Sequence, residues 1–124
     1  MITRDFLLRE LERFVQVLAV VLFHKGKRDP HAAQDALAEG FQTVSGTPLD
    51  ALHAMDCDGV LELAAYEGTF SAERAVALAD LLAEDEHALG RERAAWLYRA
   101  AFEAGGPVPF DVAERIAALP DGIE

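Results

Sequence analysis

One cysteine among 124 residues excludes an internal disulfide framework, so the fold must be held by packing alone. A lone thiol suits a reducing compartment, and the expected location is cytoplasmic. Basic residues are also scarce, with 11 Lys and Arg against 22 Asp and Glu and a net charge of −11. Nucleic acid is a poor partner for so acidic a chain, because phosphate binding needs a basic footprint. Long apolar runs are lacking as well. Phe14 to Phe23 is interrupted only by Gln16, but a bilayer crossing takes about 18 or more apolar residues, and no membrane span is expected. Three arginines and three acidic residues precede that run, and no small-residue cleavage site follows it, so no secretory leader is expected. No segment alternates apolar and polar residues between turn signals, which leaves no expected strand. There is neither a glycine-rich phosphate loop nor a paired Cys or His motif, so no cofactor, no metal and no catalytic residue are expected.

What the chain does have is apolar content, 52% of its residues, enough for one core in a single domain over 1–124. The opening reads as a long helix from about Thr3, its cap, to His24, stopped by Gly26. In its first half Phe6, Leu7, Leu11 and Phe14 face one way and Arg9, Glu12 and Arg13 another. From Phe14 onward it is apolar nearly all round, and such a helix has to be covered on most sides. A homodimer with Val15, Leu18 and Leu22 at its interface would supply that cover. The alternative is that the chain's own helices wrap it fully.

A turn from Lys25 to Asp29 leads to a second helix, Pro30 to about Val44, with Asp29 as cap and Pro30 at the first helical position. An insertion over 45–68 reads as two short helices, Leu49 to Ala54 and Cys57 to Tyr66, ended by Gly68. Ser71 then caps a helix whose apolar face is Ala75, Leu78, Ala79 and Leu82, with Glu73, Asp80, Glu84 and His87 opposite. Gly90 breaks that run, and another helix, Arg91 to Ala104, ends at Gly105-Gly106-Pro107. Val112, Ile116 and Leu119 mark a last helix from Phe110 to Leu119. The expected class is all-α, about six to seven helices arranged as antiparallel hairpins.

In the helix after Gly90, Ala94, Tyr98 and Ala101 set an aromatic ring between two small residues, so that a neighbouring helix can approach closely and the ring fills the groove. This pattern resembles the second helix of a tetratricopeptide repeat, and Pro107 or Pro109 falls near that repeat's terminal proline. The opening, Met1-Ile2-Thr3-Arg4-Asp5-Phe6, is similar to the start of an uncharacterised family of small bacterial proteins with a glycine-containing turn and a tetratricopeptide-like hairpin. That likeness covers Met1 to about Leu37 and the hairpin. It implies stacked helical hairpins with a concave surface for a protein partner, and it implies no chemistry. Ala33, Leu37 and Gly40 repeat the spacing 61 positions earlier. A bare tandem repeats at about 34 residues, so two hairpins separated by the insertion are expected.

Charge is uneven along the chain. Residues 1–28 carry six basic and three acidic side chains, and the remainder is −14. The acidic face with Asp80, Glu84 and His87 is the expected site for a basic peptide or for the basic first helix of another copy, with Trp96 as an aromatic anchor. The expected function is therefore a non-enzymatic protein–protein interaction or scaffold module that self-associates. An alternative is a small metal-dependent hydrolase using His53, Asp56, Cys57 and Asp58, which mix metal-ligand types within six residues. Asp56 also reads as a helix cap, and Cys57 sits between two carboxylates, a poor setting for a reactive thiol. The run Glu84-Asp85-Glu86 reads as a solvated charged end.

Overall fold

The computed structural model describes residues 4–104, and the expected Thr3 cap and the helix over 110–119 fall outside them. Among the described residues the order is α1 (Arg4–Gly26), α2 (Pro30–Ser45), α3 (Leu49–His53), α4 (Cys57–Leu63), β1 (Ala65–Tyr66), β2 (Thr69–Phe70), α5 (Ala72–Leu82) and α6 (Ala88–Glu103). Six helices and one very small hairpin make the fold essentially all-α.

The local signals act as expected at three helix starts. The Asp29 carboxylate accepts the Ala32 N–H, with Pro30 opening α2. Asp56 accepts the Gly59 N–H and starts α4. The Ser71 hydroxyl accepts the Arg74 N–H and starts α5.

Two expectations are corrected. The helix over Cys57 to Tyr66 stops at Leu63, and β1 pairs antiparallel with β2, Ala65 opposite Phe70 and Tyr66 opposite Thr69. Both turn residues are left-handed, Glu67 at φ 54° and Gly68 at φ 81°. That pairing of positive φ values matches the twist of two joined strands, and Ser71 N–H to Ala64 C=O closes the hairpin at 3.0 Å. Gly90, in turn, does not separate the helices: α5 ends at Leu82, and α6 begins at Ala88 with Gly90 inside its first turn. Gly90 is there because the backbone passes against Asp85; a Cβ built on it would stand 2.0 Å from Asp85 Oδ2.

α1 lies between α2 and α5, and α5 packs along α6. Gly40 lets α2 close on α1, since a Cβ there would meet Val17 Cγ1 at 2.3 Å. α1 and α5 run in the same direction, pinned at both ends. Arg74, near the start of α5, pairs with Glu10, and its Nε donates to the Leu63 carbonyl at 2.8 Å. Its guanidinium also lies 5.4 Å from the Phe14 ring centroid, and burial holds its pKa below the usual arginine value. At the far end Lys25 Nζ donates to Glu84 Oε1 at 2.9 Å and to the Glu84 carbonyl at 2.8 Å. α3 and α4 pack on α6.

One continuous core results, with Phe14 and Val21 from α1, Leu37 and Phe41 from α2, Leu52 from α3, Val60 from α4, Leu78 and Leu82 from α5, and Leu97 from α6. Ala94, Tyr98 and Ala101 are buried in it, as their spacing predicts. No helix among the described residues is long and apolar enough to cross a membrane.

Candidate functional site

The outer side of α1 carries the first surface of interest. Packed by α2 on one flank and α5 on the other, the helix buries Phe14 and Val21 and leaves its third side open. Val15 is 64% exposed and Phe23 59%, and Leu8, Val20 and Leu22 are exposed too. These are five of the seven large apolar side chains exposed among the described residues, gathered on one helix. Among the described residues, no other helix covers that side. Of the expected dimer residues, Val15 and Leu22 stand on the open side, and Leu18 is half-buried against the core. Val15 and Leu18 also line a groove of about 200 Å³ between α1 and α5, with Val76 and Ala77 across from them.

The second surface is the turn from α5 to α6, where the acidic run has three separate fates. Glu84 holds Lys25, Glu86 is exposed, and Asp85 is 2% exposed. Asp85 Oδ1 accepts from Gln34 Nε2 and from the His87 backbone N–H, each at 2.9 Å. His53 Nε2 lies 2.7 Å from Asp85 Oδ2 and donates to it in the Nε2-protonated tautomer. Gln34 Oε1 accepts the Glu86 N–H at 3.1 Å, and Arg91 Nη1 donates to the carbonyls of Asp85 and Glu86, both at 2.8 Å. A buried carboxylate is tolerable only when its oxygens are so occupied. The cluster ties α2, α3 and α6 to one turn. Sequence reading missed Asp85, and the only available signal was a glycine five residues on with no break to make.

Of the expected partner-binding residues, Asp80 and Glu84 already hold partners within the chain. Asp80 accepts the Tyr98 hydroxyl across α5 and α6, and Glu84 is engaged by Lys25. His87 is exposed, with its ring centroid 5.0 Å from that of His53. Trp96 is half-buried against the core, and the Arg93 guanidinium lies 4.6 Å from its ring centroid. Arg93 is itself buried, with Nη2 donating to the Met55 carbonyl at 2.9 Å.

The four residues weighed for hydrolysis do not converge. His53 turns to Asp85, Asp56 caps α4, and Cys57 and Asp58 are exposed. No group of three or more His, Cys, Asp or Glu side chains among the described residues has metal-binding geometry.

A third surface, absent from the sequence reading, is a groove of about 640 Å³ between α4, the β-hairpin and the end of α6. Leu61, Phe70 and Ala100 line it together with Asp58, Glu62 and Glu103. Beside it lies a depression of about 360 Å³ that shares Phe70 and Ala104 and is lined by Tyr66. The Tyr66 hydroxyl is buried and meets no hydrogen-bond partner among the described residues. Burial, with the charge of Glu67 added, pushes its pKa above the ordinary tyrosine value, so it remains a donor.

The chain matches no protein-family model, no curated protein and no solved structure.

Proposed function

We propose that this chain is a non-enzymatic protein–protein interaction or scaffold module that associates with a second copy of itself through α1. The observation that carries the reading is the apolar stripe left open on that helix. Large apolar side chains left exposed together on one element mark interaction sites.

Leu8, Val15 and Leu22 recur every seven residues. A two-fold axis at Val15 sets Leu8 of one copy against Leu22 of the other and Val15 against itself, the self-complementary arrangement of an isologous dimer. Stacked hairpins resembling tetratricopeptide repeats fit a scaffold of this sort.

Sedimentation equilibrium tests the reading. The expected result is a dimer that Val15→Asp with Leu22→Asp weakens by at least about tenfold, with the helical circular dichroism retained because both side chains are exposed. A chain that stays monomeric at high concentration defeats the self-association.

A further inference from the structure

We propose that the groove between α4, the β-hairpin and the end of α6 binds a short segment of a partner protein in which an apolar side chain is flanked by lysine or arginine. The inference rests on the reading of the chain as an interaction module, and it names a second site, away from α1, together with its ligand chemistry.

Shape and charge make the argument. The floor is apolar, with Leu61, Phe70 and Ala100, and the volume of about 640 Å³ accepts a large side chain. Asp58, Glu62 and Glu103 are all exposed around it, and no basic side chain among the described residues lines the groove. An apolar floor under a wholly acidic rim is complementary to an apolar residue with cationic neighbours.

The chain's own segment over 105–124, which follows the groove-lining Ala104 in sequence, has the wrong charge. It carries Asp111, Glu114, Asp121 and Glu124 against Arg115 alone. The acidic rim therefore favours a basic partner over this segment.

The test is fluorescence anisotropy of the full-length chain with three labelled synthetic peptides. One has a phenylalanine flanked by lysines, the second has glutamates for the lysines, and the third has alanine for the phenylalanine. The lysine–phenylalanine peptide is expected to bind with an affinity that falls as salt is added, and the other two to bind at least about tenfold more weakly. Glu62→Lys with Glu103→Lys should weaken it by a similar factor. Glu62→Gln with Glu103→Gln repeats the reading without reversing charge.

Equal binding of the glutamate peptide, unchanged affinity in the rim variants, or no saturation with the full-length chain overturns the proposal. The last outcome is the one expected if the segment over 105–124 already fills the groove. Loss of self-association in the rim variants also overturns it, because the occupant would then be a second copy. The Val15→Asp, Leu22→Asp chain should bind the peptide normally, so a failed dimer and a failed groove give different results.

Discussion

At Gly90 two residue-level preferences oppose each other. Alanine is favoured over glycine inside a helix by about 0.8–1.0 kcal/mol, yet its Cβ would press on the Asp85 carboxylate. That carboxylate is fixed by Gln34, His53 and the His87 N–H and has little room to give. We expect Gly90→Ala to lower stability by about 2 kcal/mol in urea denaturation. Asp85→Ala should cost about 3 kcal/mol, since it strips the buried partners of their acceptor. In the Asp85→Ala background the sign should reverse, with Gly90→Ala neutral or stabilising. Additive effects in that double-mutant cycle would show that the two residues do not press on one another. The glycine was visible in the sequence but its purpose was not. A helix break and a close approach call for the same residue, and only the neighbour distinguishes them.

Helix starts are the elements most legible in the chain, because a cap is a contact between residues three apart. Asp29, Asp56 and Ser71 each accept the N–H three positions on. The β-hairpin was not legible, and the reason is local. Its strands are two residues each, too short to show alternation, and its first turn residue is Glu67, a side chain that carries no preference for the left-handed conformation it adopts. The α1–α2 pair gives a prediction at this scale. The spacing Ala33, Leu37, Gly40 does face the neighbouring helix, with Ala33 and Leu37 buried and Gly40 against Val17. Gly40→Ala should therefore destabilise the chain by about 1–2 kcal/mol in thermal or urea unfolding, in spite of alanine's helix propensity. Adding Val17→Ala should recover part of that loss by vacating the space. An unchanged midpoint in Gly40→Ala would mean that the helices can separate at no cost.

For the whole molecule, the position of α1 between two neighbours decides which surfaces are open. A helix with two packed flanks buries one side and exposes the other. An apolar pattern running nearly all round it then leaves Val15, Leu22 and Phe23 outside. The self-association predicted from that stripe and the peptide binding predicted for the groove are separate properties on separate elements. Substitution at one should leave the other intact.

Composition, periodicity and capping residues by themselves determined the all-α class, the position of α2, the start of α5 and the inward side of α6. All of these depend on neighbours a few positions apart, which a sequence displays directly. Only the tertiary structure decided that Asp85 is buried while Glu84 and Glu86 are not, and that Asp58, Glu62 and Glu103 share one groove. The partners that settle those questions lie far away in the chain: Gln34 is 51 residues from Asp85, His53 is 32, and Lys25 is 59 from Glu84. A carboxylate's surroundings are set by whichever elements fold against it, and nothing in its immediate neighbours encodes them.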